Sequence, residues 1–524
     1  MKAYYNFGGG KAESSSDDLK ILGGKGAGLA EMSRAGIPVP PGFVISTEVC
    51  GAFYESGMQV PSKIDKELES HVAKIEKLTG TKFGDPSKPL LLSVRSGSAV
   101  SMPGMMDTIL NLGLNQETLE GFIKKSGDAK FAYDNYRRLI QMFGDVVLSI
   151  DRELFERIVT KIKEDRRIKS DSSLQAKDLQ DIINKYRSLI KRKSGEPFPD
   201  DPFVQLRMAR DAVFRSWNNP RAISYRRMTN VPSHLGTAVT VQAMVFGNSG
   251  RKSGTGVGFT RDPSTGENVF YGEYLVNAQG EDVVAGIRTP LPISKLEQDM
   301  PDMYKKLRDI TRKLEKRYRD VQDFEFTIDN GKLYMLQTRR GKRTVQAAVK
   351  IAVDMTHEKL ITRDEALMRI KPTDLDQLLH PRIDTSAKYE VIAKGLAASP
   401  GAASGMVCFT SEEAVKLAAA KKSVILVRKE TNPDDIEGME ASAGILTSRG
   451  GMTSHAAVVA RGMGSCCVAG AESLRVNEKK KMFQVGKLTI KEGEIITLNG
   501  STGEIILGKA PTIEPELSAE FNEF

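Results

Sequence analysis

The sequence TSRGGMTSHAAVVARGMGSCCVAG, residues 447–470, decides how the last part of this chain folds. The short apolar run GILTS at 444–448 is typical of a buried strand, two glycines then allow a tight turn, and a helical pattern begins near Ser454. Another strand-like run, VILVRK, lies upstream at 424–429. Strands that alternate with helices predict a β/α/β unit, which we extend over residues 390–510 because Ala, Gly, Val and Ile dominate there.

His455 lies at the start of the predicted helix in this unit. Helix N-terminal N–H groups and the positive end of the helix dipole lower the pKa of an imidazole and stabilise a negative phosphoryl group. A neutral imidazole is a competent nucleophile. Gly450 and Gly451 let a phosphate come close, and Thr453 or Ser454 can cap the helix or donate to phosphate oxygens. The alternative is an ordinary helix-terminal histidine, which would be preferred for a histidine without such a loop.

The other histidines lie in charged or proline-adjacent contexts, and we interpret them as structural or surface residues; they are His71, His234, His357 and His380. None of them has the spacing of a metal site.

The first 343 residues carry several patterns that suit a nucleotide, although no G-x-x-x-x-G-K-[ST] loop occurs. Lys25 lies in a glycine-rich turn that precedes a helix, and Arg95 follows the strand-like run LLLSV at 90–94. A guanidinium in that position can clamp phosphate oxygens in bidentate fashion. Thr255 belongs to a further glycine-rich loop, SGTGVGFTRDPSTGE at 253–267, and is the weaker candidate.

Two carboxylates alternate on a predicted strand and therefore share one face: Asp323 and Glu325. Such a pair suits Mg²⁺, which takes oxygen ligands and bridges phosphates. Gln337 and Arg339 repeat the two-residue spacing on the next strand-like run, KLYMLQT at 332–338. An amphipathic hairpin with its charges in water explains the same pattern, and the residues alone do not decide between the two interpretations.

Helical patterns separate these regions. Residues 116–206 contain few glycines and many charges, which predicts an inserted helical subdomain. Residues 344–389 predict a helical linker: TVQAAVKIAVDM carries an apolar stripe, Thr362 and Glu365 form a capping-box pattern, and Lys371-Pro372 should end the second helix. The final strands, KLTIKEGEIITLNGSTGEIILG, predict hairpins, and residues 511–524 resemble the start of another linker.

Size and composition favour a multidomain globular protein. With 524 residues, 40% hydrophobic and 27% charged, the chain should form about three to four units. The net charge is +9, and the charges alternate along helices instead of forming a basic tail. The densest basic run, IKRKSG at 190–195, has no interleaved aromatic residues, so we expect no nucleic-acid partner. Four cysteines and no long apolar run predict a cytoplasmic protein without a membrane span.

The run GGMTSHAAVVARG, residues 450–462, resembles the phosphohistidine signature of the phosphoenolpyruvate-utilising enzymes, which include pyruvate, phosphate dikinase, phosphoenolpyruvate synthase and enzyme I of the sugar phosphotransferase system. Met452 favours the dikinases, because the other two commonly carry arginine there. ETNPDDIEGM at 430–439 is similar to a second stretch of the same domain, with Asn432 where the dikinases more often show serine. SVRSGSAVSMPGMMDTILNLGLN at 93–115 resembles their ATP-grasp domain, and the likeness extends from Lys2 to about Leu517.

This resemblance implies an α/β and α+β multidomain fold: an ATP-grasp-like nucleotide-binding domain at 1–343 with the helical insertion, the linker at 344–389, and a swivelling phosphohistidine domain at 390–510. It implies that His455 is phosphorylated and that Thr453 occupies the position of a regulatory phosphosite in plant members. The implied binding residues are Lys25 and Arg95 for the ATP phosphates, Asp323 and Glu325 for metal and nucleotide, and Gln337 and Arg339 for the polyphosphate.

The reaction implied by the resemblance converts ATP, phosphate and pyruvate to AMP, pyrophosphate and phosphoenolpyruvate through a phosphohistidine, with Mg²⁺ and a homodimeric full-length enzyme. Members of the family continue into a (β/α)₈ barrel for pyruvate, so we expect residues 511–524 to lead toward a missing domain and the chain to carry only the ATP and phosphate half-reaction. Two alternatives stay open: a synthase that uses water and releases orthophosphate, and an ATP-binding phosphocarrier that acts with a partner.

Overall fold

The structure is a computed structural model that describes residues 2–14, 18–100, 102, 105–229, 231–284, 289–371, 375, 382–384, 387–513 and 518–524. The chain divides into two compact units, Met1–Ser249 with Tyr334–Gln337, and Gly250–Leu333 with Thr338–Phe524. Both mix helices and sheets, which confirms the predicted α/β multidomain class. The domain boundaries at 343, 389 and 510 stay predictions.

The first unit contains a six-stranded antiparallel sheet. Its strands, in spatial order, are Lys11–Ala12, Tyr4–Gly8, Gly42–Ile45, Ala238–Ala243, Leu92–Gly97 and Thr108–Leu112. A short parallel pair, Lys82–Phe83 and Pro89–Leu90, lies beside it. The predicted strand at 90–94 is therefore confirmed but begins at Leu92, and it places Arg95 on the strand next to the edge strand, opposite Thr240.

Helices pack around this sheet, and residues 116–206 are mainly helical, as the sequence predicts; their status as an inserted subdomain stays a prediction. Between residues 116 and 216 the helices are Gln116–Ser126, Ala129–Met142, Phe143–Val147 (a π-helix), Arg152–Arg166, Asp171–Ser173 (3₁₀), Ala176–Ser194 and Pro202–Ser216. Asn115, Asp128 and Asp151 each accept a hydrogen bond from an N–H of the first turn that follows them, which fixes where three of these helices begin. The remaining helices of the unit are Leu19–Arg34, Thr47–Glu55, Ser62–Asp65, Leu68–Thr79, Pro220–Met228 and Ser233–Leu235 (3₁₀).

The second unit begins with a five-stranded sheet. The spatial order of its strands is Leu291–Pro292, Tyr271–Val276, Gly254–Phe259, Gln322–Asp329 and Lys332–Arg340. Register places Glu273 opposite Val257 and Val257 opposite Glu325, so these three side chains share one face. Helices Gly280–Val284, Ile293–Lys295 (3₁₀), Leu296–Asp299 and Pro301–Tyr318 belong to the same region.

Helices Val345–His357 and Arg363–Leu367 follow, as the linker pattern predicts. Thr362 and Glu365 form the expected capping box. Much of the segment that should end the linker, including Pro372 and His380, lies outside the described residues. Helix Ala519–Glu523 packs on the first of these helices, where Lys350 donates to Glu520 at 3.0 Å.

The predicted β/α/β unit is an eight-stranded mixed sheet. Its strands, in spatial order, are Val391–Lys394, Glu504–Leu507, Ile495–Asn499, Ala402–Cys408, Val424–Arg428, Gly444–Thr447, Cys466–Ala469 and Leu396–Ser399. The four strands from Ala402–Cys408 to Cys466–Ala469 are parallel and the edges are antiparallel. Helices Ser411–Ala419, Pro433–Asp435 (3₁₀), Ile436–Ala441 and His455–Met463 connect the parallel strands.

A three-stranded meander, Leu474–Asn477, Met482–Val485 and Leu488–Lys491, follows the last parallel strand. Strands Ile495–Asn499 and Glu504–Leu507 form a hairpin, so the hairpins expected from the alternating sequence at 487–508 are confirmed. A short pair, Arg382–Ile383 with Thr512–Ile513, lies where the chain enters and leaves this part of the second unit.

Candidate functional site

The structure places His455 at the first residue of helix His455–Met463, as the sequence predicts. The parallel strand Gly444–Thr447 ends just before the glycine-rich loop, so the loop and the helix N-terminus lie at the carboxyl edge of the parallel strands. Gly450 has φ of 99°, and a side chain there would crowd Ser454, which explains the need for glycine in this turn. The glycine turn before His455 and the helix that begins at it therefore set the backbone position of this residue.

The two ring nitrogens of His455 differ in their surroundings. Nδ1 lies 3.0 Å from the hydroxyl of Thr431, whereas Nε2 is buried and has no hydrogen-bond partner among the described residues. Burial lowers the pKa of His455 from 6.5 to about 4, with Asp434 raising it and Lys342 lowering it further. The imidazole is consequently neutral at pH 7, and Nε2 is the nitrogen whose position leaves it available to attack an electrophile.

Ser454 does not cap the helix, although the sequence suggested that it could. It occupies the N-cap position with extended backbone, but its side chain makes no capping hydrogen bond, and its Oγ is buried without a partner. The hydroxyl of Ser454, the residue before His455, could donate a hydrogen bond to a group that brings acceptor oxygens. A phosphoryl group on Nε2 has such oxygens.

The loop before His455 is bound by a carboxylate from the five-stranded sheet. Glu273 accepts a hydrogen bond from the Met452 N–H at 3.3 Å and from the Thr453 hydroxyl at 3.1 Å. Burial raises the pKa of Glu273, and the two bonds from the loop lower it. From the other side, Arg461 donates to the Met452 carbonyl and, at 2.8 Å, to the Ala398 carbonyl. The position of the loop is thus fixed by polar contacts.

The predicted metal pair lies on the same face of that sheet as Glu273. Asp323 is buried, and Arg339 Nε donates to its carboxylate at 2.7 Å. Burial raises the pKa of Asp323 while Arg339 lowers it. Glu325 is half-buried and makes no hydrogen bond or ion pair to any described residue. Neither the described helices nor the described strands bring three or more His, Cys, Asp or Glu side chains together as a metal cage.

Three of the predicted nucleotide residues lie in the first unit. Arg95 is buried and donates to Gln242 Oε1 and, at 3.3 Å, to the Leu336 carbonyl, which precedes Gln337. Lys25 lies in Leu19–Arg34, just after the non-helical residue Gly23, where two helical pieces meet; the glycine break therefore precedes the helical piece that carries Lys25. The Gly24 N–H donates to Ser98 O at 2.8 Å, so Lys25 is brought next to the strand that carries Arg95.

Thr255 is placed differently from the expectation of a flexible glycine-rich loop. It is a buried residue of strand Gly254–Phe259, and its hydroxyl lies 3.1 Å from Phe326 O and 3.2 Å from Thr327 Oγ1. The glycines of this segment serve close strand packing, because a side chain at Gly256 or Gly258 would meet Phe326 or Phe324. A nucleotide-binding role for the Thr255 hydroxyl would require it to leave these partners.

The four other histidines were predicted to be structural or surface residues. His71 is buried, stacks on Tyr4 at 4.3 Å and lies 3.0 Å from Asn6 Oδ1. His357 lies 2.7 Å from Glu523 at the surface, and His234 is exposed in a 3₁₀ turn. His380 lies outside the described residues.

Sequence reasoning missed the residues that hold the site together. Thr431 stands inside the quoted stretch 430–439, yet nothing in the one-dimensional pattern shows that it reaches His455. Glu273 shares its face with Glu325 only through the register of two strand pairs. Its alternation in the run YGEYLV was a usable signal, but the partner strands were not known from the sequence.

We expect Thr431→Val to slow phosphorylation of His455 by about 10- to 100-fold, because the tautomer that leaves Nε2 unprotonated loses its partner at Nδ1. Thr431→Ser keeps the hydroxyl and should stay within about threefold of the parent chain. The ¹⁵N chemical shifts of the His455 ring would report the tautomer directly. Equal rates and unchanged ring shifts in the valine variant would rule out this role.

The described part of the chain has no helix that is both long and apolar enough to cross a membrane.

Comparison with known proteins identifies two family models that match this chain. Residues 19–64, 57–301 and 294–360 match the family described as "Pyruvate phosphate dikinase, AMP/ATP-binding domain", and residues 420–503 match "PEP-utilising enzyme, mobile domain". The expectation that phosphoenolpyruvate is handled only through a missing C-terminal domain finds no support here, because a phosphoenolpyruvate-utilising domain is found within the chain.

Three curated relatives illustrate the similarity. The chain is 52% identical over 534 residues to "Pyruvate, phosphate dikinase" of Rhizobium meliloti (strain 1021), covering 100% of this chain and 60% of that protein. It is 55% identical over 512 residues to the protein of the same name from Clostridium symbiosum (97% and 59% covered), and 52% identical over 522 residues to "Pyruvate, phosphate dikinase 2" of Zea mays (99% and 59%). The chain thus spans about 60% of the length of these relatives. Their names do not favour the phosphoenolpyruvate synthase alternative.

The family match covers well over half of the residues and includes the helix and strand that carry Lys25 and Arg95. It also includes the sheet that carries Asp323 and Glu325. Residues 420–503, which include His455, match the mobile domain of phosphoenolpyruvate-utilising enzymes. The chain therefore belongs to the pyruvate phosphate dikinase AMP/ATP-binding family.

Proposed function

We propose that this chain transfers a phosphoryl group from ATP to Nε2 of His455, as the ATP and phosphate half-reaction of a pyruvate, phosphate dikinase. The observation that carries the proposal is the neutral, buried imidazole whose Nδ1 faces Thr431 and whose Nε2 has no partner in the described residues. The helix N-terminus and the Ser454 hydroxyl would then stabilise the negative oxygens of the product. Pyruvate is proposed as the final acceptor, following the names of the relatives.

The nucleotide would be bound by the cations and carboxylates that the family resemblance implies. We assign Lys25 and Arg95 to the ATP phosphates, and Gln337 and Arg339 to the polyphosphate during transfer. Arg95 presents a fixed guanidinium because Gln242 and the Leu336 carbonyl orient it. Thr255 stays the weakest candidate, since its hydroxyl already lies within hydrogen-bond distance of Phe326 O and Thr327.

Mg²⁺ fits the carboxylates of this site. Glu325 makes no hydrogen bond or ion pair to the described residues that would compete with a metal, and Asp323 would contribute once Arg339 turns toward the polyphosphate. Mg²⁺ usually takes only one or two protein carboxylates together with phosphate oxygens, so a larger cage is not required. When bound, the ion would neutralise charge on the phosphates and orient them. Glu273, on the same face, keeps the loop of His455 in place.

ATP labelled at either the β- or the γ-phosphorus tests this reaction. His455 Nε2 attacks the β-phosphorus and AMP leaves; added phosphate then takes the γ-phosphoryl as pyrophosphate, so the β-phosphoryl stays on the protein. ATP labelled at the β position should therefore leave acid-labile label on the chain in the presence of Mg²⁺ and phosphate, whereas γ-label should be lost. Stable γ-label with release of ADP would instead identify an ordinary kinase-type transfer, and orthophosphate as the product would identify a synthase. Label that leaves only with an added protein partner would identify a phosphocarrier.

We also propose that the phosphohistidine domain, residues 390–510, swivels as a body. A phosphoryl group that serves two reaction sites must travel with its carrier if water is to be excluded. Glu273 would mark one end of this movement, because it binds the loop of residues 451–453 in the arrangement described above. The homodimer and the cytoplasmic location stay predictions.

Thr453 is proposed as the regulatory residue of this movement. Its hydroxyl donates to Glu273, so a negative group at Thr453 would face a buried carboxylate and repel it. We expect Thr453→Asp to shift small-angle scattering toward a more extended particle and to slow His455 phosphorylation at least tenfold. Thr453→Asp with Glu273→Gln should recover much of both, and Thr453→Ser should resemble the parent chain. Identical scattering of the parent chain and these three variants, with and without ATP, would argue against both the swivel and the role of Thr453.

A further inference from the structure

A cavity with two arginines in its lining lies in the first unit, and Arg95 is not among its lining residues. Its volume is about 310 Å³, and it is lined by Asn218, Ile223, Arg226, Arg227, Val231 and Ser233. Helix Pro220–Met228 supplies the two arginines and Ile223, and the segment that follows supplies Val231 and Ser233. We call it the Arg226 cavity.

Arg226 is a buried cation without an acidic partner. Arg226 is only 4% exposed, and no carboxylate in the described ranges forms an ion pair with it. Two of its N–H groups are directed at the Trp217 carbonyl and, at 3.2 Å, at Asn218 Oδ1, while Nε is buried with no hydrogen-bond partner among the residues that the structure describes. By contrast, the equally buried Arg210 and Arg261 each contact two carboxylates. Arg226 therefore lacks the compensation that its counterparts have.

The lining has the chemistry of an anion site. A buried guanidinium is costly unless an opposite charge or full hydrogen bonding compensates it. Arg227 adds a second, exposed guanidinium, and planar guanidinium groups match the oxygens of carboxylates and phosphates. Ile223 and Val231 provide apolar surface on the same cavity. A volume of about 310 Å³ is at the low end of the roughly 300–1,000 Å³ of small-molecule sites.

We propose that the Arg226 cavity binds a small oxyanion, a carboxylate or a phosphate, that carries at most a short apolar body. The oxyanion would accept hydrogen bonds from Arg226 and Arg227, and the apolar body would lie against Ile223 and Val231. The rival interpretation is that Arg226 serves only to pack Trp217, whose ring lies 4.2 Å from the guanidinium in a cation–π contact. The two interpretations differ in whether an anion enters.

Trp217 gives the cavity its own spectroscopic reporter. It is the chain's single tryptophan, its ring lies over Arg226, and its Nε1–H donates to Ser233 O at 3.0 Å. We would titrate the full chain with sodium 2-methylpropanoate and, separately, with inorganic phosphate at constant ionic strength, and follow Trp217 emission. The neutral amide 2-methylpropanamide is the matched control for the apolar body. A saturable change with an oxyanion, and none with the amide or with sodium chloride, is the expected result.

Variants decide whether the response comes from this cavity. Arg227→Gln, at an exposed position, should weaken the response about tenfold or more, and Arg226→Gln should remove it. Arg215→Gln removes an exposed arginine that does not line the cavity and should leave the titration unchanged. If Arg226→Gln fails to fold, Ile223→Glu places a competing carboxylate in the cavity and should abolish binding.

A response to 2-methylpropanoate alone identifies a carboxylate site, and a response to phosphate alone identifies a phosphate site. No saturable response, or one that Arg227→Gln and Ile223→Glu leave unchanged, would overturn the proposal and leave Arg226 as a packing partner of Trp217. Labelling of His455 from ATP, measured in the same samples, keeps this outcome separate from the proposed phosphoryl transfer.

Discussion

His455→Ala should lose all acid-labile phosphate after incubation with ATP, Mg²⁺ and phosphate, a fall of more than about 10³-fold in the rate of phosphoprotein formation. The reason is chemical, because the substitution removes the only nitrogen that the described structure leaves buried, neutral and unpartnered next to a helix N-terminus. ATP affinity should change by less than about threefold, because the residues proposed to bind its phosphates lie on other strands and helices. Quantitative ³²P incorporation and equilibrium nucleotide binding measure the two quantities.

A second substitution separates loss of the nucleophile from loss of the fold. His357→Ala removes an exposed histidine that contacts Glu523, and its labelling should match that of the parent chain. Acid-labile phosphate retained by the His455 variant would show that another residue is the carrier. Loss of nucleotide affinity in the same variant would show that the histidine helix contributes to the ATP site.

Arg95→Ala should reduce phosphoprotein formation by about 10²- to 10³-fold, because a preorganised donor aimed at transferring phosphates contributes about 3–4 kcal/mol to the transition state. Unlike His455→Ala, it should also weaken ATP binding. The variant should also affect the fold, because Arg95 is 8% exposed and donates to Gln242. Leaving that buried acceptor unsatisfied should therefore lower the free energy of unfolding by about 1–3 kcal/mol.

Urea denaturation and ATP binding of matched variants measure these two effects separately. Arg207→Ala removes a more exposed arginine of the same unit that pairs with Asp65 and Glu69, and it should cost no more than about 1 kcal/mol and leave labelling intact. Arg95→Ala combined with Gln242→Leu should regain stability without regaining activity. Activity that returned along with stability would assign Arg95 a structural role only.

The sequence was most informative where one segment carries the whole signal. The strand, glycine turn and helix at 444–463 follow from local periodicity, and so do the helices between 116 and 216 with their Asn and Asp caps. The alternation of Asp323 and Glu325 likewise fixed their common face. These features depend on residues within one or two turns of each other, which is the range over which a sequence pattern has physical meaning.

Contacts between distant segments were beyond that range. Thr431 reaches His455 across 24 residues, and Glu273 reaches Thr453 across 180. The sequence predicts a glycine-rich loop at 253–258, but the structure has a strand there. Glycines that leave room for the rings of Phe324 and Phe326 cannot be distinguished in sequence from glycines that leave room for a phosphate. The amphipathic-hairpin interpretation places the charges in water, whereas the structure buries Asp323 against Arg339.

The strand by which the chain enters the eight-stranded sheet, Val391–Lys394, pairs with the strand by which it leaves, Glu504–Leu507. Just outside them, Arg382–Ile383 pairs with Thr512–Ile513, so the two ends run side by side as a stem. Neighbouring ends are the condition under which a segment can be cut out or transplanted without opening its core. Residues 382–513 should therefore behave as an exchangeable cassette, able to fold when expressed alone and to be grafted into another host through one stem.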